Sequence, residues 1–379
     1  MKKIFRQAFK PSILYASVPL LLMMVIPGCH KVKIPVILTD DFQQVNLVAN
    51  TAGYDTARID PLLLNAWGLA FSGGGTPWIA SPGGHVSTVY DKDGRQARAA
   101  VAIPSPGALT GGSPAGVVFN ASAFFLLSNG AKANFIFAGL DGVISAWNGP
   151  AGNTALRIID NHETAVYTGL AIANIADINR NFLYAANFKA GRIDGFDQKF
   201  GMEGFSLKDA FKDPNLPAGY SPFNVQAIGD KLYVTYAKVG AGGKEEIGPG
   251  KGFVDIYTPR GALVKRFVSK GCLNAPWGVA QAPDGFFSDD MKGHDGQNPI
   301  LIGNFGDGRI NAFNSDGEFL GTLRCKGWPI EIEGLWALSF PPTTATTVDP
   351  KRLYFTAGPN GEKDGLFGYI IKKEMKWDY

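Results

Sequence analysis

The chain has 379 residues, a formal net charge of +3, 48 glycines and only 18% charged residues. That length exceeds what a single conventional core organises, and the glycine content suits tight turns between buried strands. Removing residues 1–28 deletes Lys2, Lys3, Arg6 and Lys10 and no acid, so the balance of +3 becomes −1. The basicity therefore belongs to the N-terminus, and nucleic acid is excluded as a partner on electrostatic grounds.

In chain order, the four basic residues precede an apolar stretch from Ile13 to Ile26 broken by Pro19. The run is short for a bilayer span and has the flanks of an export signal. It ends in Ile26-Pro27-Gly28-Cys29, which resembles a bacterial lipobox, with Pro27 an unusual occupant. The expectation is a signal peptide over 1–28, lipidation of Cys29, a spacer over 29–43 and one domain over 44–379. Ordinary secretion with nearby cleavage is the alternative. The localisation expected is the periplasm or outer membrane of a bacterium, with a lipid tether as the only membrane contact and a monomeric protein.

From residue 67 onward a short apolar run recurs six times. The runs are Trp67-Gly68-Leu69-Ala70-Phe71, Ala115-Gly116-Val117-Val118-Phe119, Thr168-Gly169-Leu170-Ala171-Ile172, Phe223-Asn224-Val225-Gln226-Ala227, Trp277-Gly278-Val279-Ala280-Gln281 and Trp336-Ala337-Leu338-Ser339-Phe340. Their second residues are spaced by 48, 53, 55, 54 and 59 positions. A period of about 40–60 residues built from short strands marks a β-propeller. Blade five shows the unit clearly. An inner strand at Trp277–Gln281 precedes a second at Ile300–Asn304, a turn at Phe305–Gly308, a third strand at Arg309–Phe313 and an outer strand within 318–323. The fold predicted is all-β, a six-bladed β-propeller with four-stranded blades. Blade six lacks a strong outer strand, and Gln44–Ala49 is spare, so this N-terminal strand is expected to close the ring. Glycine at the second inner position is expected where backbones crowd the axis.

The blade consensus resembles NHL-type propellers. A longer match is carried by Asn65-Ala66-Trp67-Gly68, Ser221-Pro222-Phe223-Asn224, Asn274-Ala275-Pro276-Trp277-Gly278, Gly303-Asn304-Phe305-Gly306-Asp307-Gly308 and Gly334-Leu335-Trp336-Ala337-Leu338. It is similar to an uncharacterised family of exported bacterial propellers, some of which carry a C-terminal sorting signal. This chain ends at Lys376-Trp377-Asp378-Tyr379 without one. The resemblance implies fold and export and no established activity.

No nucleophile elbow and no His-Glu-x-x-His zinc pattern is present around His30, His85, His162 or His294. The loop containing His294 has oxygen donors without calcium-loop spacing, and a solvated loop is the plainer reading. Gly73–Gly75 and Gly240–Gly252 lack the Lys-Ser/Thr ending of a phosphate cradle and read as turns. Asn65, Asn224, Asn274 and Glu333 flank the inner strands and are the candidate ligand- or metal-binding residues at the axial mouth. Lactonases of the gluconolactonase and paraoxonase kind, which these positions resemble, hold a divalent ion there, so Ca²⁺ or Mg²⁺ is the cofactor to test. Turn capping by the same asparagines is the competing reading. Asn304 and Asp307 are weaker candidates and suit hairpin-turn chemistry.

Tyr220, Phe286, Phe287, Trp328 and Trp377 are expected in loops, as contacts for a glycan, small molecule or protein. Cys272 and Cys325 precede consecutive inner strands and are either a disulfide or two thiols. Two functions follow. The first is an envelope-anchored scaffold that binds a ligand or protein. The alternative is a divalent-metal-dependent hydrolase, lactonase or lyase at the axial mouth.

Overall fold

The computed structural model describes residues 38–202 and 210–373. The leader, Cys29 and Trp377 lie outside the described residues. Val36–Tyr379 forms one compact unit.

The described strands assemble as six radial, chiefly antiparallel sheets and one separate two-stranded hairpin. Blade one comprises Leu69–Phe71, Pro77–Ser81, Val86–Val89 and Val101–Ala102. Blade two comprises Pro114–Phe119, Phe135–Gly139, Val143–Trp147 and Leu156–Asp160. Blade three has Tyr167–Ile175, Arg180–Asn187 and Arg192–Phe196, three strands among the described residues. Blade four runs through Tyr220–Ile228, Lys231–Lys238, Phe253–Tyr257 and Leu263–Ser269. Blade five has Pro276–Gln281, Ile300–Asn304, Ile310–Phe313 and Phe319–Thr322, close to the strands read from sequence. Each inner strand touches the next, and the sixth touches the first, so the ring is closed.

Blade six is completed from the other end of the chain. Leu335–Ser339, Leu353–Ala357 and Leu366–Lys372 are joined by Phe42–Ala49, which pairs antiparallel with the last of them from Phe42↔Lys372 to Ala49↔Leu366. The strand starts two residues earlier than predicted, and the Leu38 amide already donates to the Leu320 carbonyl at 2.8 Å. Asn50 and Tyr54 fasten the clasp by donating to the Asp364 carboxylate at 3.0 and 2.7 Å. These bonds hold its carboxyl below the ordinary value.

The glycine reading holds for a measurable reason. A Cβ on Gly68 would stand 2.2 Å from the Ala115 carbonyl oxygen of the next blade, and one on Gly278 would stand 2.7 Å from that of Trp336. No larger residue fits without separating the inner strands.

The first positions of four of the six runs, Trp67, Phe223, Trp277 and Trp336, make an aromatic plug. Trp336 is fully buried, stacks on Trp67 with ring centroids 3.7 Å apart, and meets Trp277 edge-on at 6.1 Å and Phe223 at 5.8 Å. The Trp336 Nε1 donates to Asn65 Oδ1 at 2.9 Å, and Trp277 Nε1 donates to the Thr168 carbonyl at 2.9 Å. The Trp67 Nε1 donor is buried and has no partner among the described residues.

Two expectations about side chains are corrected. Phe286 and Phe287 do lie in the loop between the first two strands of blade five but are buried rather than presented, because they pack on Phe42 of the closing strand at 5.3 and 5.9 Å. Tyr220 lies within an inner strand and packs edge-on against Phe253 at 4.7 Å. Cys272 and Cys325 are both free, so no disulfide joins them.

The plug yields a paired prediction. Trp336→Phe leaves Asn65 Oδ1 without its donor, whereas Trp67→Phe removes an N–H that has no partner among the described residues. Urea unfolding is expected to place Trp336→Phe about 1–3 kcal/mol below Trp67→Phe. Equal losses would contradict this hydrogen-bonding account.

Candidate functional site

Antiparallel pairing places the segment before each inner strand beside the turn that follows the second strand. Pro276↔Asn304 brings Asn274 to the turn at 305–308, and Leu335↔Ala357 brings Glu333 to the turn at 358–362. The candidates read from sequence therefore fall near one end of the ring, although they do not occupy equivalent positions.

Asn224 departs most. It stands inside its strand at a position where four other runs have glycine, and its side chain reaches across to the inner strand of blade five. Its Nδ2 donates to the Trp277 carbonyl at 2.8 Å, and its Oδ1 accepts from the Val225 amide at 2.8 Å. Asn274 Oδ1 accepts from the Gly248 amide at 2.6 Å. Asn65, held at a left-handed φ of 51°, accepts from Trp336 and donates to Glu362 Oε2 at 3.0 Å. The three asparagines thus brace neighbouring elements, and their carbonyl oxygens are engaged. Among the described residues no three His, Cys, Asp or Glu side chains converge on a metal-sized space.

Asn304 and Asp307 form the turn chemistry expected of them. Asn304 Oδ1 accepts from the Asn274 amide at 3.1 Å, while its Nδ2 donates to the Cys272 carbonyl at 2.7 Å and Asp307 Oδ1 at 3.1 Å. His294 is held in its loop by Asp316, Nδ1 to Oδ2 at 2.6 Å.

The open space lies beside the plug. A groove of about 510 Å³ runs between blades five and six, lined by Phe305, Asp307, Glu331, Glu333 and Glu362, with Ile247 of blade four at its rim. The Phe305 ring stacks on Trp336 at 4.1 Å, so the groove rests on the same aromatic hub. Gly306 is required here, because a Cβ would stand 2.1 Å from Asn274 Oδ1.

Glu333 is fixed by a backbone amide and Glu362 by two side chains on a strained turn. Glu333 Oε1 accepts from the Asn360 amide at 3.0 Å. Asn360, Gly361 and Glu362 carry successive positive φ values of 57°, 61° and 67°. A non-glycine residue in that region is strained, and such strain collects at sites with a task. The turn points the Glu362 carboxylate at Asn65 and 3.6 Å from Lys244 Nζ. Glu331 pairs with Arg309 at 2.7 Å. Burial, reinforced by the negative charge of Glu362, raises the Glu245 carboxyl above its ordinary value.

The sequence reading missed Glu331, Glu362 and Phe305. Asn360-Gly361 is a turn signal that marks the carboxylate after it, but no spacing rule joins three separate turns into one groove.

At the opposite mouth, inner strands end around a recess of about 460 Å³ lined chiefly by Leu69, Phe71, Val117, Phe119, Leu170 and Phe340. It carries no charged residue.

No family model matches the chain. It is similar to two uncharacterised proteins of Acanthamoeba polyphaga mimivirus. One is 30% identical over 343 residues, covering 88% of this chain and 81% of the relative. The other is 31% identical over 350 residues, covering 88% and 86%. The chain belongs to the family of these viral proteins. The expected membership of an exported bacterial family, with its sorting signals, is thereby overturned. Blade grammar is common to propellers whatever their source, so the matched motifs carried the fold and not the origin. Among solved structures, the α-L-arabinofuranosidase of Fusarium graminearum aligns with a TM-score of 0.54 at 12% identity, over 87% of this chain and 97% of that one. At that identity the likeness is one of fold.

The engagement of Asn65 is directly testable. Asn65→Ala strips the partner from Trp336 Nε1 and one of two partners from Glu362, and places a Cβ-bearing residue without a polar side chain at positive φ. The expected cost is about 1–3 kcal/mol in denaturant unfolding. An unchanged midpoint would show that Asn65 is not structural.

Proposed function

We propose that this member of the mimivirus protein family is a binding scaffold whose ligand seat is the acidic groove between blades five and six. The observation that carries the reading is a roughly 510 Å³ recess with four carboxylates at its walls and an aromatic floor, next to an axial mouth closed by tryptophans. Arg309 and Lys244 each engage one of those carboxylates, on Glu331 and Glu362, and leave a net negative field. A positively charged small molecule or a basic side chain of a protein partner matches that field. The rigid ring supplies preorganisation, so little ordering cost falls on binding.

A divalent-metal hydrolase is the second reading, favoured by walls that offer only oxygen donors. It requires the carboxylates rather than the axial asparagines, whose oxygens already accept hydrogen bonds. Export and lipidation at Cys29 remain part of the proposal on the strength of the N-terminal sequence.

The test is calorimetric titration with spermidine and, separately, with Ca²⁺. Spermidine is expected to bind, and Glu333→Gln and Glu362→Gln are each expected to weaken it about two- to fivefold, the range for a partly exposed ion pair. No spermidine binding, or binding untouched by either variant, would overturn the scaffold reading at this groove. Stoichiometric Ca²⁺ binding lost in the same variants would favour the hydrolase.

A further inference from the structure

The most unusual surface feature lies away from the groove. Arg324–Cys325 and Trp328–Pro329 form a two-stranded hairpin between blades five and six. Its two turn residues, Lys326 and Gly327, both have positive φ, 52° and 83°, the signature of a tight two-residue hairpin turn. Trp328 is 78% exposed, while the five other described tryptophans are buried. Arg324 and Lys326 flank it, both exposed, and neither side chain has an ion pair among the described residues.

The hairpin adjoins both ends of the described chain. Asp41 forms a backbone β-bridge with Arg324, and its carboxylate accepts from the Lys326 amide. Lys373 pairs with Asp41 at 3.1 Å, and Lys372 pairs with Asp40 at 2.9 Å. These pairs neutralise the local acids and leave the hairpin's two cations uncompensated. The chain reaches this edge at Leu38, from a preceding sequence that contains the apolar run Ile13–Ile26 and the bases Lys31 and Lys33.

We propose that the Arg324–Trp328 hairpin docks on an anionic lipid surface. An indole beside two cations is the composition that settles at the headgroup level, with the ring at the interface and the cations on lipid phosphates or carboxylates. The patch is too small for a stable protein interface, which needs about 800 Å² per partner, whereas an indole supplies about 150–250 Å². Beside the N-terminal lipid tether proposed above a small contact suffices, because the second contact is then intramolecular. This contact is additional to a lipid tether, and it does not depend on the groove reading.

The test uses the full chain mixed with vesicles of phosphatidylcholine containing about a third phosphatidylserine, with brominated acyl chains as quencher. Emission from Trp328 is isolated by subtracting the spectrum of Trp328→Phe. That variant is expected to keep the native circular dichroism, because the side chain contacts little. The expected result is co-flotation, quenching of the Trp328 component, and much weaker quenching in vesicles of phosphatidylcholine alone. Arg324→Gln with Lys326→Gln is expected to shift the protein toward the undocked state by roughly thirtyfold, each lost cation being worth about 1 kcal/mol. Three results overturn the proposal. They are failure to float, flotation with Trp328 unquenched, and quenching that ignores both lipid charge and the double variant. In the unsubstituted protein, anionic vesicles are also expected to shield Trp328 from acrylamide, and unchanged accessibility would overturn the proposal independently.

Discussion

One indole holds the centre of the molecule. Trp336 stacks on Trp67, meets Trp277 and Phe223 edge-on, supports Phe305 beneath the groove, and spends its N–H on Asn65. Blades one, four, five and six therefore share a single buried ring. Each aromatic contact adds roughly 0.5–1.5 kcal/mol beyond the area it buries, and the N–H bond fixes the rotation of the indole. The open space at this end lies beside the plug, in the groove between blades five and six, and Phe305 ties the two together.

Closure imposes the second constraint. A propeller whose last blade lacks its outer strand leaves an edge that invites pairing with other chains. Here Phe42–Ala49 occupies it, and Phe42 carries the seal inward by packing on Phe286 and Phe287. The two ends of the described chain then lie side by side, with Asp40 and Asp41 facing Lys372 and Lys373. The exposed hairpin sits on that same seam.

How much of this was legible follows from the kind of signal involved. The six runs, the turn residues and the spare N-terminal strand are local patterns, and a closed ring is their geometric consequence, so the architecture could be read directly. The glycines at 68 and 278 were legible for the same reason, since axial crowding acts at a fixed position of the repeat. The site was legible only in part. Glu333 and Asp307 do line the groove, but Asn224 was grouped with residues preceding inner strands when it stands inside one. Its carboxamide replaces a glycine and braces the axis, which no spacing reveals. Phe286 and Phe287 look like loop aromatics until the partner that covers them, the distant Phe42, is known. Glu362 depends on a left-handed turn and on contact with Asn65, nearly three hundred residues away in sequence.

The central claim is that ligand binding concentrates on the blade five–six groove and not on the axis or the apolar recess opposite. Hydrogen-exchange mass spectrometry with and without saturating spermidine addresses it most directly. The account predicts slowed exchange in residues 305–308 and 358–362, with the inner-strand ends around Phe71, Phe119 and Phe340 unchanged. Protection confined to those strand ends, or none anywhere despite measured binding, would contradict it.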